Sequence, residues 1–311
     1  MSNEKGTALS YLTAAVSGMA VFANSFGVVT IDSTVYTLIK NVLVTLILAG
    51  FLIFFKKRTE ILSLDKKHIV YLLFVGISGG GIAFALFFAG LAGLSGSEGS
   101  FLYRLLFIFS IPLAVLIFRE RLKPRVVLGA VAILGGNLLL LGNSSISLNT
   151  SSFLVLLATV LWATEYAVSK KALERLSPIT VASARMGIGS LVLLAIVLYQ
   201  GKGDVLLNIP PQSLIWIAIA TGFLVLFVTL WYSALKYSSL LPATAILTLG
   251  GPISAILSFL FAGKAIIPLQ ALGFLLLGVG AIFVTGLAET ISTLNSIRSK
   301  SLQLLKNFEV K

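Results

Sequence analysis

Residues 152–199 read SFLVLLATVLWATEYAVSKKALERLSPITVASARMGIGSLVLLAIVLY. Two apolar runs flank a short loop that carries Lys170, Lys171 and Arg175 and ends at Pro178. A helix needs roughly 20 apolar residues to cross a hydrocarbon core of about 30 Å, and each run supplies them. The stretch therefore predicts two membrane helices joined by a basic loop. Only two ionisable side chains lie deep within it, Glu165 and Arg185.

The same pattern recurs along the chain of 311 residues. It predicts an all-α integral membrane protein of ten spans, at 8–28, 34–55, 69–92, 98–118, 125–142, 152–170, 178–199, 213–235, 241–262 and 268–287. Composition agrees: 58% of residues are hydrophobic, 11% are charged and the mean hydropathy is +1.04. That is too little charge to cover a soluble domain of this length. The start is short and polar, and no small-residue cleavage site follows the first apolar run, so that run reads as a retained helix.

The net charge of +12 raises the question of nucleic acid. The basic residues lie between apolar stretches rather than on a solvated face among aromatics, which argues against it. With no cysteine and a single histidine, His68, disulfide frameworks and Cys/His metal sites are excluded. His68 falls in a basic loop, where a solvated role is expected. There is no GxxxxGK[ST] stretch, no HExxH and no paired-Asp motif, so neither ATP hydrolysis by this chain nor membrane enzymology is indicated, and no cofactor is implied.

Placing the N-terminus in the cytoplasm puts eighteen of the 23 Lys and Arg on that side, the C-terminal cations included. The opposite face carries only Lys202 and Lys264, and Lys40, Arg104 and Arg185 fall within spans. This segregation is the positive-inside pattern. It predicts a multi-pass plasma-membrane protein with both termini cytoplasmic. The tail, 288–311, reads either as a basic amphipathic helix on an anionic inner leaflet or as a frayed end.

An internal repeat is visible. A shift of 144 residues brings Phe88 onto Tyr232, Leu91 onto Leu235, Ser95 onto Ser239, Pro124 onto Pro268, Gly129 onto Gly273 and Gly136 onto Gly280. A shift of 140 brings Phe22-Ala23 onto Trp162-Ala163, and one of 145 brings Lys40 onto Arg185. The order is kept along both halves, as in duplicated segments. The repeats are expected at 8–142 and 151–287. Five spans is an odd number, so the second repeat should enter the membrane from the opposite side, an arrangement that permits alternating access around a midplane site.

Several of these residues resemble a known family. Phe118-Arg119-Glu120-Arg121-Leu122 ending the fourth span, the glycine nine residues after Glu120, Trp162-Ala163 in the sixth span and Ala184-Arg185 in the seventh are similar to the drug/metabolite transporter superfamily, and within it to the EamA-like exporters. The resemblance implies spans 1–4 and 6–9 around a central cavity, spans 5 and 10 at the periphery, and export of amino acids or other small metabolites. Two features depart from it. Lys264 stands where the second repeat usually has Glu, and Lys40 and Arg104 add buried positive charge.

An ionisable group at membrane depth costs at least ~2.5 kcal/mol, so each should face a partner or a wet cavity. Five qualify: Lys40, Glu98, Arg104, Glu165 and Arg185. At about 1.5 Å per residue, Glu165 and Arg185 both fall roughly 10 Å from the cytoplasmic face and should pair. They are read either as a structural ion pair or as a substrate contact with a carboxyl that changes protonation. Lys40 and Arg104 share a depth near the outer face, with Glu98 at its mouth. Either Glu98 balances them or they hold a solute carboxylate. Asn24, Tyr36, Tyr103, Trp162, Tyr166, Trp231 and Tyr232 complete a cavity wall or belong to interfacial belts. Gly79, Gly80 and Gly81, with Gly250, Gly251 and Pro252, permit bends that expose backbone groups, whereas Gly129, Gly135, Gly136, Gly273 and Gly280 read as close helix packing.

These features predict a secondary transporter of a small-molecule substrate. An antiporter of phosphorylated or nucleotide-linked anions is a second reading, and a channel or membrane sensor a third of another class.

Overall fold

In a computed structural model, residues 2–94, 96–141, 149–287 and 290–292 are described, and no strand occurs among them. The long helices follow the predicted spans: α1 (Ser2–Gly27), α2 (Ser33–Phe54), α3 (Lys66–Leu91), α4 (Glu98–Phe118), α5 (Pro124–Leu140), α6 (Thr150–Ala172), α7 (Pro178–Tyr199), α8 (Pro211–Tyr237), α9 (Leu240–Ala262) and α10 (Pro268–Thr285). Among the described residues nine of these are long and apolar enough to cross a membrane, and α5 is a shorter apolar helix. The amphipathic helix expected over 288–311 lies outside the described residues, apart from 290–292.

Local chemistry sets the helix starts. The Asp32 carboxylate accepts the N–H groups of Thr34 and Val35, and the Asn149 side chain accepts that of Ser152, so each caps a helix. Proline opens α5, α7, α8 and α10, where its missing N–H costs nothing. Three helices are irregular inside. Α3 widens into a π-helical segment at Val75–Ile82, α4 breaks at Leu105, and α9 breaks between Leu247 and Gly250.

The repeat is visible in backbone detail. Α4 ends on Arg119 and α9 on Gly263, both left-handed, with φ of 53° and 64°. The next N–H then reaches back to close the turn, Glu120 to the Ala114 carbonyl at 3.1 Å and Lys264 to Ser258 at 3.2 Å. These positions are related by the 144-residue shift. Packing follows the same exchange: α1 lies on α8 and α9 as α6 lies on α3 and α4, while α2 meets α7 and α5 meets α10. The α5–α10 contact is backbone against backbone. A Cβ on Gly280 would fall 2.8 Å from the Gly129 carbonyl, and one on Gly136 2.8 Å from that of Gly273. Apolar side chains such as Ile53, Leu116 and Leu275 point outward, as a lipid-facing surface requires.

Connections sort into two ends. Those after α2, α4, α6 and α8 meet at one, which carries the clustered cations and is called the basic face here. There Glu60 accepts the Ser177 N–H at 2.6 Å, Glu120 accepts those of Leu240 and Leu241 at 2.6 and 3.2 Å, and Lys236 donates to the Leu176 carbonyl at 2.9 Å. At the other end Lys202 pairs with Asp32 at 2.8 Å and the Ser213 hydroxyl donates to the Thr30 carbonyl at 3.3 Å. Burial opposes ionisation of Asp32 and Glu60, yet the donors around them hold both carboxyls below the ordinary range. At Glu120 burial prevails and raises the carboxyl, against the pull of the two N–H groups and Lys170.

His68 is not the solvated loop residue expected. It lies in the first turn of α3, buried, with Nδ1 2.6 Å from Asp65 Oδ1. The physical reason is the Asp65 cap, which starts α3 three residues earlier than the apolar run suggests. With Lys67, Tyr71, Lys171, Glu174 and Arg175 this pair lines a cavity of about 290 Å³ open at the basic face.

Replacing Gly280 by Ala should lower the thermal midpoint of the purified protein, an overpacking cost of about 1–3 kcal/mol. Gly278→Ala, two residues away and facing open space, should leave it unchanged or raise it by up to ~1 kcal/mol through helix propensity. Equal losses at both positions would refute the close-contact account.

Candidate functional site

Α6 presents Trp162, Glu165, Tyr166 and Ser169 on one buried face, at the three- and four-residue spacing of neighbours on a helix. The Glu165 carboxylate is fully enclosed. Its Oε1 accepts the Ser169 hydroxyl at 2.5 Å and the Tyr232 hydroxyl at 2.8 Å. Arg185, from α7, brings Nε to 3.6 Å from Glu165 Oε2, the pairing that the depth arithmetic predicts. That separation is an ion pair without a direct hydrogen bond. Among the described residues Glu165 Oε2 and Arg185 Nε and Nη1 have no hydrogen-bond partner, whereas Nη2 donates to the Gly79 carbonyl at 3.4 Å. The guanidinium also lies over the Phe84 ring, 5.6 Å from its centre.

The π-helical segment of α3 builds the opposite wall. Its widened turn is closed by the Ala83 N–H on the Ser78 carbonyl, and the carbonyls of Gly79 and Gly80 accept bonds from neighbouring helices. Gly79 receives the Trp162 Nε1–H at 3.0 Å as well as Arg185, and Gly80 receives the Asn41 amide at 3.4 Å. Glycine is required by space. A Cβ on Gly79 would lie 2.3 Å from Glu165 Cγ, and one on Gly80 2.1 Å from the Arg185 carbonyl. Gly81 packs against Val192 in the same way.

Aromatic rings close the remaining sides. Tyr103 stands edge-on to Trp162 at 5.4 Å, Phe84 and Phe87 flank the same indole, and Tyr166 meets Trp231 at 4.6 Å. Thus Tyr103, Trp162, Glu165, Tyr166, Arg185, Trp231 and Tyr232 form one cluster drawn from α4, α6, α7 and α8. Glu165, Tyr166, Trp231 and Tyr232 are closed on one another, each at most 2% exposed, rather than lining open space.

The other candidates sit elsewhere. Lys40 donates to Asn24 Oδ1 at 2.6 Å and lies over the Tyr36 ring at 4.3 Å, and the Tyr36 hydroxyl donates to the Trp216 carbonyl at 3.3 Å. Arg104 seats its guanidinium against Gly251, where a Cβ would lie 2.2 Å from Nη2. Glu98 is buried at the start of α4. Gly250 and Pro252 are buried just beyond the α9 break, Gly250 facing Ala14 and Ser17 of α1. Sequence reasoning missed Asn41, Ser169 and Phe84. Ser169 was signalled by its four-residue spacing from Glu165, and Asn41 by its place in an apolar run; nothing local marks Phe84.

Comparison with known proteins gives a consistent picture. A protein of Methanothermobacter thermautotrophicus described as an uncharacterized transporter is 29% identical over 178 residues, which span 50% of this chain and 52% of that relative. The chain thus matches about half of that relative's length. A solved crystal structure superposes with a TM-score of 0.73 over 93% of this chain and 99% of its own, at 15% identity, which shows a shared fold alone. The EamA-like transporter family matches twice, at residues 4–142 and 149–286. With both halves matched, the chain belongs to the EamA-like transporter family.

Proposed function

We propose that this chain is a secondary transporter that moves amino acids or related small metabolites out of the cell by alternating access, with the Glu165–Arg185 cluster on the solute path. The observation that carries this reading is the buried ion pair whose facing atoms, Glu165 Oε2 and Arg185 Nε and Nη1, lack hydrogen bonds. A buried, incompletely satisfied pair stabilises a fold poorly, because desolvation of the two charges offsets their attraction. A zwitterionic solute would satisfy both ends, its carboxylate on the guanidinium and its ammonium on the carboxylate. Trp162, Tyr103, Tyr166, Trp231 and Tyr232 would then contact its side chain, and Asn24, Tyr36, Lys40 and Arg104 would form a second station nearer the other face. Glu165 and Glu98 are the deep acids able to carry a coupling proton.

The arrangement in the membrane follows the same reading. Ten helices in two oppositely oriented repeats, 8–142 and 151–287, are supported by the exchange pattern of helix contacts and by connections that alternate between two ends. The basic face is assigned to the cytoplasm of a plasma-membrane protein by its cations. Gly79, Gly80 and Gly81 in α3, and Gly250, Gly251 and Pro252 in α9, are the places where the helices would flex.

The three deep cations, Lys40, Arg104 and Arg185, favour a second reading, an antiporter of phosphorylated or nucleotide-linked anions. A thermal-shift screen of metabolites on purified protein, followed by counterflow in proteoliposomes, should find an amino acid or close relative that stabilises the protein and exchanges saturably. Saturable exchange of phosphate esters alone would select the antiporter, and non-saturable flux a channel.

Arg185→Met should lower the unfolding free energy by about 3–5 kcal/mol, since it strands the Glu165 charge. Glu165→Gln/Arg185→Met should regain most of that stability and remain inactive in counterflow. A double variant that transports normally would reduce the pair to a structural strut. Arg104→Ala should abolish counterflow while leaving the thermal midpoint unchanged, and retained transport with normal affinity would remove Arg104 from the path.

A further inference from the structure

The turn between α8 and α9, Tyr237 to Leu240, is held from three sides at the basic face. Glu120, just past α4, accepts the first N–H groups of α9, Leu240 at 2.6 Å and Leu241 at 3.2 Å. Lys170, at the end of α6, donates to the Leu235 carbonyl in the last turn of α8 at 3.0 Å and to that of Ser238, just past it, at 2.5 Å. A carboxylate thus meets the positive end of one helix dipole and an ammonium the negative end of the next. Charge-assisted bonds of this kind are roughly twice as strong as neutral ones. Α1 closes the third side: Lys5 lies over the Tyr237 ring at 4.2 Å, and Gly6 is so near that a Cβ would fall 2.4 Å from the Tyr237 carbonyl carbon.

The second repeat carries a different residue at the position equivalent to Glu120. Lys264 occupies the place of Glu120 in the second repeat, after the same left-handed residue and on the same reach-back bond. The backbone is alike and only the side chain differs. An ammonium has no lone pair with which to accept an N–H, so it cannot hold a helix start.

We propose that Glu120 and Lys170 are positioning residues for the transport cycle, a latch that holds the basic-face mouth shut at the α8–α9 turn and must release for that side to open. Because the other repeat carries Lys264 instead, the latch acts on one face only and biases the resting protein toward closure there. The inference rests on the alternating-access reading above.

The chain has no cysteine, so single reporters need no background removal. Ser238, 3% exposed in the turn, and Asn137, buried on α5, are replaced by Cys in separate proteins reconstituted in lipid nanodiscs, and maleimide labelling rates are measured. Glu120→Gln should speed labelling at Ser238→Cys about tenfold or more, the effect of losing one or two charge-assisted bonds. Lys170→Met should do the same, and Asn137→Cys should stay slow in both backgrounds. Unchanged labelling at Ser238→Cys in both variants overturns the latch, as does a parallel rise at Asn137→Cys, which would mean general loosening. Labelling needs no solute, so the two readings fail differently. Fast labelling in the variants with no counterflow from any solute supports the latch and counts against transport, whereas slow labelling with intact counterflow counts against the latch alone.

Discussion

The carbonyls of Gly79 and Gly80 are the interaction on which the centre of this molecule depends. They lie in a π-helical segment of a membrane-spanning helix, where backbone groups must find partners within the protein. Trp162, Arg185 and Asn41 answer them, and in doing so tie α3 to α6, α7 and α2. The same glycines have no side chain, which lets Glu165 and the Arg185 backbone approach to a distance that any Cβ would block. One irregular segment thus supplies both the acceptors and the space.

Charge at depth obeys a matching constraint. Glu165 is surrounded by two hydroxyl donors and a guanidinium, yet one of its oxygens is left facing Arg185 without a bond. Lys40 and Arg104 are treated differently, the first given an amide oxygen and an aromatic face and the second seated against a glycine. A structure optimised for stability alone would replace such groups with apolar ones. Their presence at depth is the observation on which the proposed solute path rests.

The two ends of the bundle are built on one backbone plan and differ in side chains. Carboxylates from Glu60 and Glu120 hold helix starts at the basic face. The other end relies on the Asp32–Lys202 pair. A duplicated architecture therefore carries an unequal distribution of fastenings, and single positions such as Glu120 and Lys264 contribute to the inequality.

The sequence by itself determined where the long helices run, that their connections divide into a basic and a weakly charged set, that α5 and α10 carry glycines suited to close packing, and that Glu165 and Arg185 lie at one depth. Each of these depends on length, periodicity or charge along a single segment, which a one-dimensional reading captures. The tertiary structure decided the π-helical turn, the separate seats of Lys40 and Arg104, the burial of His68 beside Asp65, the closing of the aromatic cluster on itself, and the partners Asn41, Ser169 and Phe84. These depend on the rotation and axial register of one helix against another. Register is set by the summed packing of several helices at once, so no single run of residues encodes it.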